Sequence, residues 1–144
     1  MPENKNVKIY IGFDQRESVA FHTFVQSLID HASIPLNITP LAVKTLKGYE
    51  ERHEDKSNDF VYSRFLIPFL NDFKGWAIFV DGDMICQTDI KELLDLRDNS
   101  KALQVVKHDY KTKASQKYLG NINQDYPRKN WSSVILWNCA HPKL

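Results

Sequence analysis

The chain has 144 residues, of which 42% are hydrophobic and 26% charged, and its formal net charge at pH 7 is +1. This length and composition fit a single globular domain over residues 1–144, and the near-zero charge excludes a broad basic surface for nucleic acid. Its two cysteines are too few for a disulfide framework. No apolar run approaches the roughly 20 residues of a membrane helix, and no signal peptide is recognisable, so we expect a cytoplasmic protein without a transmembrane segment.

The first third of the chain alternates between strand-like and helix-like segments. Residues 7–13 (VKIYIGF) predict a buried strand. Asp14 and Glu17 have the spacing of a helix-capping box, and an amphipathic helix is expected to follow and to end near His31. Residues 36–43 predict a second strand or extended segment. The expected apolar face of the helix consists of Phe21, Phe24, Val25, Leu28 and Ile29.

The middle of the chain predicts a second helix and a second buried strand. Residues 50–59 form a charged loop, and residues 60–70 read as a helix with Pro68 in its last turn or at a kink. Residues 76–80 (WAIFV) are the most apolar strand candidate and end at residues 81–83 (DGD). The expected apolar side of the second helix consists of Tyr62, Phe65, Leu66, Phe69 and Leu70.

The last part of the chain continues the alternation. The strand is expected to extend through residues 84–86, and Asp89 opens a short helix. Residues 103–106 and 133–137 predict two further strands, and the polar residues 108–130 between them predict a long functional loop. Strands alternating with helices predict an α/β fold, with a mainly parallel sheet flanked by helices.

Asp81 and Asp83 are the strongest candidates for a metal site. Ligands of open parallel sheets bind at the carboxyl ends of strands, where this pair is expected. On an extended chain both carboxylates would point to the same side, roughly 7 Å apart, and carboxylate oxygens suit Mg²⁺ or Mn²⁺. Gly82 would let a substrate approach the backbone. The alternative is a plain turn at the end of a strand, since Asp and Gly are common turn residues.

Arg64 is the candidate partner of a phosphate group. A guanidinium among apolar residues is costly to bury without a partner, and a diphosphate offers planar two-point hydrogen bonding. The chain contains no glycine-rich phosphate loop, so a metal ion together with Arg64 is the expected way to hold phosphates. The alternative is a structural ion pair between Arg64 and Asp81 or Asp83.

Four segments in order carry a resemblance to a known family: YIGFDQRES, YSRFLIPFL, GWAIFVDGDM and KNWSSVILWNCAHP. Together they resemble a bacterial family of GT-A-type glycosyltransferases, similar to the glycogenin and lipopolysaccharide galactosyltransferase group. The resemblance implies a Rossmann-like GT-A fold, a nucleoside-diphosphate sugar donor such as a UDP-sugar, and Mn²⁺ or Mg²⁺ as cofactor. The implied metal ligands are Asp81 and Asp83, and the implied donor-binding residues are Gly12, Phe13, Asp14, Arg64, Trp131, Ser132 and Ser133.

The catalytic group is not identified by the resemblance. Lys107 and His108 follow a strand end and are candidates by position. Where the glycogenin group has an N-x-G-V segment, this chain has residues 131–134 (WSSV), so Asn130 is a third candidate. Related enzymes continue beyond the position of Leu144 and there supply a metal-binding histidine, so the chain is expected to be short at its C-terminus and to form homo-oligomers.

The expected activity is metal-dependent transfer of a sugar to a saccharide or other hydroxyl acceptor. A non-catalytic nucleotide-sugar-binding remnant, or half of a split enzyme, is the alternative from a different functional class. A nucleotidyltransferase also uses paired aspartates, but the segment IGFDQRES is a poor match to the basic glycine-rich loop of such enzymes.

Overall fold

The computed structural model describes residues 7–54, 57–108 and 129–144. These residues contain one five-stranded sheet and three α-helices, and short 3-10 helices precede α1 and α2. The strands are β1 (Lys8–Gly12), β2 (Asn37–Leu41), β3 (Trp76–Val80), β4 (Leu103–His108) and β5 (Lys129–Asn138). The helices are α1 (Ser18–His31), α2 (Ile67–Leu70) and α3 (Ile90–Asp95).

The sheet has the strand order β2-β1-β3-β5-β4. β1 pairs in parallel with β2 and with β3, whereas β5 lies antiparallel between β3 and β4. Four strands therefore run in one direction and only β5 runs in the other. The predicted α/β fold with a mainly parallel sheet flanked by helices is confirmed.

Strand alternation divides the core between the two faces of the sheet. Ile9 and Ile11 of β1 pack in a cluster with buried residues of α1 and α3, whereas Tyr10 packs on the opposite face with α2. Successive side chains of a strand point to opposite faces, so a strand buried on both sides must be apolar at nearly every position. The apolar run of β3 meets this requirement, and its residues 77–80 are all buried.

Helix α1 ends at His31 as predicted, but its beginning and its buried face differ from the prediction. Asp14 caps a 3-10 turn formed by Gln15–Glu17, and the α-helix begins at Ser18. Ile29 is exposed, while the polar Ser27 is buried, because its hydroxyl donates to the Phe24 carbonyl at 2.7 Å and accepts from the Cys86 amide.

The second helix was predicted too long and with the wrong face buried. A 3-10 helix, Ser63–Leu66, is followed by the single α-turn of α2, with Pro68 among its first residues. Proline is compatible with the first turn because the amide nitrogens there need no partner within the helix. The 3-10 geometry changes the angular positions of the side chains, so Phe65 and Phe69 are exposed while Arg64 and Ile67 are buried.

Two further predictions, for residues 84–86 and for the loop 108–130, need correction. Residues 84–86 do not continue β3, because the chain turns at Gly82 and Asp83. The predicted loop 108–130 is shorter at both ends, since β4 includes His108 and β5 begins at Lys129; the rest of that loop lies outside the described residues. Helix α3 does follow the predicted cap, with Asp89 accepting a hydrogen bond from the Lys91 amide.

No helix in the described part of the chain combines the length and apolar character needed to cross a membrane.

Candidate functional site

The candidate site lies at the edge of the sheet where β1 and β3 end and the antiparallel β5 begins. The Asp81 amide donates to the Ser133 carbonyl at 2.9 Å, which extends the pairing of β3 and β5 past the last residue of β3. Between β4 and β5, Val105 pairs with Ile135 but Val106 pairs with Trp131. The bulge thus contains residues 132–134 of β5, and it presents Ser132 and Ser133 to the end of β3.

Arg64 is buried beneath this bulge, with 6% of its surface exposed. Its Nη1 donates to the Ser132 carbonyl at 2.7 Å and to Ser132 Oγ at 3.2 Å, and its Nε donates to the Phe60 carbonyl at 3.2 Å. The guanidinium carbon lies 4.8 Å from the centre of the Phe79 ring and 5.6 Å from that of Phe60. These contacts fix the guanidinium beside the strand ends.

Arg64 and Asp81 form an ion pair, with 3.2 Å between Nη1 and Oδ1. Nη1 donates hydrogen bonds to two atoms of Ser132, and Asp81 Oδ1 is buried with no hydrogen bond of its own. Burial raises the pKa of Asp81 to about 6, although the Arg64 charge and a hydrogen bond from Ser133 act in the opposite direction. Asp81 thus has an inward-facing oxygen able to accept a further ligand.

The raised pKa of Asp81 predicts a pH dependence of stability in metal-free buffer. The folded state holds the Asp81 proton up to about pH 6, whereas the unfolded chain releases it near 3.8, so the stabilising contribution is lost as the pH rises. Relative to Asp81→Asn, the unfolding free energy of the unmodified protein should fall by about 2 kcal/mol from about pH 4.5 to about pH 7. Urea denaturation of both proteins across this range measures the difference, and a constant difference would contradict the raised pKa.

Asp83 differs from Asp81 in its surroundings. The chain turns at Gly82 and Asp83, so Asp83 is exposed while Asp81 is largely buried. The prediction that residues 81–83 are extended is therefore wrong. Their backbone forms a turn at the end of the strand, as the alternative interpretation had it. Gly82 is required by a close backbone contact, because a Cβ at this position would collide with the Gly12 carbonyl oxygen. The approach of a substrate to Gly82 stays a prediction.

Glu17 is a third carboxylate at this edge that sequence reasoning assigned only to a helix cap. Burial raises its pKa, and the nearby charges of Asp83 and Asp14 raise it further. Its position just after β1 was the one sign in the sequence that Glu17 lies at this edge. The sequence does not show that β1 and β3 are neighbours in the sheet, so Glu17 could not be placed near Asp83. Among the described residues, no group of three or more His, Cys, Asp or Glu side chains has the geometry to hold a metal ion.

The residues expected beside the nucleoside have structural contacts. A Cβ on Gly12 would lie 2.5 Å from the Phe60 ring, and the Phe13 ring packs edge-on against Phe21. Asp14 is buried and bound to Arg16 and to the Asp59 amide, and the hydrogen bonds from Arg16 contribute most to lowering its pKa to about 2. Asp14 thereby anchors the segment that precedes Phe60.

A cleft of about 360 Å³ opens over the ion pair. It brings together five of the predicted site residues: Arg64, Asp81, Trp131, Ser132 and Ser133. Gly12, Phe13, Asp14 and Asp83 do not line it. Sequence reasoning missed the other lining residues, which come from the loop after residue 56 and the adjoining 3-10 helix: Ser57, Asn58, Val61, Tyr62 and Phe65.

The three catalytic candidates lie in the β4–β5 pair just beyond the bulge, at the same edge of the sheet as Asp81, because β4 runs parallel to β3. Lys107 pairs with Asn130 and His108 with Lys129 in the strand ladder. Lys107 is exposed on the edge strand. Lys107 does not line the cleft. Their catalytic role stays a prediction.

The carboxylates of the site fit a hard divalent cation in part. Asp81 has a buried oxygen without a hydrogen bond, and the exposed Asp83 is two residues away. Mg²⁺ and Mn²⁺ are commonly held by one or two carboxylates together with water and substrate phosphates. Asp81 and Asp83 are thus the residues that would hold such a cation, and its positive charge would lie beside that of Arg64.

Comparison with known proteins agrees with this architecture. The chain is 46% identical over 145 residues to Protein CDI of Arabidopsis thaliana, a match that covers 98% of this chain and 56% of that protein. The chain thus spans about half the length of this curated relative. The fold resembles the apo structure of the WbbM bifunctional glycosyltransferase with a TM-score of 0.65 and 18% identity, covering 96% of this chain and 32% of WbbM.

The matching family model is described as glycosyl transferase family 8 and covers residues 2–140. The expected kinship with the glycogenin and lipopolysaccharide galactosyltransferase group agrees with this family, whereas a bacterial origin and a shortened C-terminus stay predictions. Nearly the whole chain is matched, and so the chain belongs to glycosyl transferase family 8.

Proposed function

We propose that this protein transfers a sugar from a nucleoside-diphosphate sugar, most simply a UDP-sugar, to a hydroxyl of a saccharide or other acceptor, with Mn²⁺ or Mg²⁺ as cofactor. Family membership supports sugar transfer. The observation that carries the donor and metal assignments is the buried Arg64–Asp81 pair beneath an open cleft at the strand ends. A cytoplasmic location belongs to the same proposal.

Arg64 has the chemistry to bind the diphosphate. Its guanidinium is held rigidly by Phe60 and Ser132 and lines the cleft, so little side-chain entropy is lost when an anion binds. Burial lowers the pKa of Arg64, and the negative charges of Asp81 and Asp83 oppose this effect. The charged form of Arg64 is therefore already stabilised by neighbouring anions. A diphosphate would add hydrogen-bonded negative charge in the same place.

Asp81 and Asp83 are proposed to hold the cation. When bound, the cation supplies positive charge that stabilises the diphosphate as it leaves the sugar. Asp81 contributes an inward carboxylate fixed by Ser133 and by the β3–β5 pairing, and Asp83 contributes an exposed carboxylate two residues further along the chain. The bulge residues Ser132 and Ser133 keep the strand ends in position, because Arg64 and Asp81 both bond to them.

Calorimetric titration of UDP in Mn²⁺, and then in excess chelator, tests the proposal. We expect saturable binding in Mn²⁺ and a large loss of affinity in chelator, because the positive charge of the cation is then missing from beside the diphosphate. Asp81→Asn and Asp83→Asn should each weaken binding in Mn²⁺ by at least about tenfold, the loss that follows from removing even an outer-shell partner of a metal ligand.

Asp30→Asn is the matched control for these variants. Asp30 is an exposed carboxylate on α1 that accepts a hydrogen bond from Gln26, so its replacement changes the net charge equally without touching the site. Equal UDP affinity in Mn²⁺ and in chelator would contradict the metal assignment. Equal losses in Asp30→Asn and Asp81→Asn would show that net charge, and not ligation, controls binding.

A further inference from the structure

A second and larger cavity, of about 740 Å³, lies at the opposite edge of the sheet. It is formed where β1 and β3 begin and α3 ends, and its lining includes Lys8, Lys74, Trp76 and Arg97. Because the five-residue strands of the sheet are each about 16 Å long, this cavity is separate from the cleft at Asp81. Its volume is in the range of small-molecule sites.

Positive charge dominates this basic cavity. Lys8, Lys74 and Arg97 come from three different segments of the chain. Among the described lining residues the acidic one is Asp95, whose Oδ2 is already paired with Lys91 Nζ at 2.5 Å. Within the described residues, no carboxylate lies at ion-pair distance from Lys8 or Lys74. Like charges that converge on a concave surface repel each other, and an anion between them relieves that repulsion.

A strained turn places Lys74 at the cavity. Asp72, Phe73 and Gly75 have φ values of 53°, 51° and 59°, in the left-handed region that side chains other than glycine disfavour. Asn71 holds the turn, because its Nδ2 donates to the Lys74 carbonyl at 2.6 Å and its Oδ1 accepts from the Tyr10 hydroxyl at 3.3 Å. Backbone strain is concentrated at ligand-binding positions more often than elsewhere.

Arg97 is fixed on the other side of the cavity. Its Nε donates to the Leu94 carbonyl at 2.7 Å at the end of α3, and its guanidinium carbon lies 6.0 Å from the centre of the Trp76 ring. A preorganised guanidinium loses little entropy on binding an oxyanion, and lysine ammonium groups add point charge to the same oxygens.

We propose that the basic cavity binds a phosphate group, either free phosphate or the phosphate of a small molecule such as a sugar phosphate. The Lys8 and Lys74 ammonium groups favour a ligand that carries close to two negative charges over a singly charged or neutral one. Nothing in the proposed sugar transfer uses these residues, so the inference is independent of that function.

Calorimetry with inorganic phosphate, glucose 6-phosphate and glucose, at constant ionic strength, tests the inference. We expect saturable binding of the first two and none of glucose. Tighter binding of glucose 6-phosphate than of phosphate would identify the ligand as a phosphorylated small molecule. Equal affinities would identify it as free phosphate. Both results support the site. Lys8→Ala and Lys74→Ala should each weaken binding by about tenfold, since a charge-assisted hydrogen bond is removed.

Two control variants locate the binding. Lys47→Ala removes the same charge from an exposed lysine elsewhere and should leave the affinity unchanged. Arg64→Lys changes the cleft at Asp81 and should also leave it unchanged. The inference is overturned if neither phosphate ligand binds saturably, if Lys47→Ala weakens binding as much as Lys74→Ala, or if Arg64→Lys abolishes binding that Lys74→Ala retains.

Discussion

Replacing Arg64 with methionine is expected to lower the free energy of unfolding by about 4 kcal/mol at pH 7, because it leaves a buried carboxylate without its cation. Asp81 has 17% of its side chain exposed, and its Oδ1 is buried and already lacks a hydrogen bond. The Phe60 and Ser132 carbonyls also lose their donor. Chemical denaturation of the purified variant, in metal-free buffer, measures the loss.

Arg52→Met is the matched control. Arg52 forms an ion pair with Glu50 at 2.8 Å, but the two side chains are 82% and 76% exposed. Solvent screens such a pair, so its loss should cost less than about 1 kcal/mol. The double variant Arg64→Met with Asp81→Asn should recover part of the stability, because the uncompensated charge is removed as well. Equal effects of Arg64→Met and Arg52→Met would contradict the structural importance of the buried pair.

The parts of the fold that were predicted correctly depend on local patterns. The apolar runs around Ile9 and Ile78 gave β1 and β3, since a strand buried on both faces leaves few polar residues in its sequence. The end of α1 and the Asp89 cap of α3 also follow from local chemistry, because side-chain caps act within a few residues.

The parts that were missed depend on strand pairing between distant segments. The direction of β5 and its bulge at residues 132–134 depend on both neighbouring strands. The pattern of apolar residues within β5 shows neither its direction nor its bulge. The 3-10 helix at Arg64 was missed for a similar reason. Its geometry buries Arg64 against Phe79, so tertiary contacts favour it over the longer α-helix that residue preferences indicate.

Five of the predicted site residues line one cleft, but how they are arranged there could not be read from the sequence. Both alternatives stated for Arg64, a phosphate ligand and an ion-pair partner of Asp81, remain compatible with the structure, because the ion pair lies in the wall of an open cleft. The assignment of Gly12 to the nucleoside stays a prediction, and the structure adds that a Cβ at Gly12 would meet the Phe60 ring. A sequence shows that a glycine is present but not which atom comes close to it.

Gly82→Ala is expected to lower the free energy of unfolding by about 3 kcal/mol, because overpacking against rigid backbone cannot be relieved by a side-chain rotation. The added Cβ would overlap the Gly12 carbonyl oxygen and would come within 3.8 Å of the Phe21 ring. Relief requires the ends of β1 and β3 to separate, which also moves Asp81 relative to Arg64. UDP affinity should therefore fall together with stability.

Gly48→Ala is the comparison that isolates this steric effect. Gly48 has a φ of 80° and open space where a Cβ would be added, so the substitution costs only the strain of a left-handed backbone, about 1 kcal/mol. Urea denaturation of both variants, with UDP titration in Mn²⁺, gives the two readouts. If Gly82→Ala were no more destabilising than Gly48→Ala, and bound UDP normally, the close contact between the ends of β1 and β3 would not be a constraint on the site.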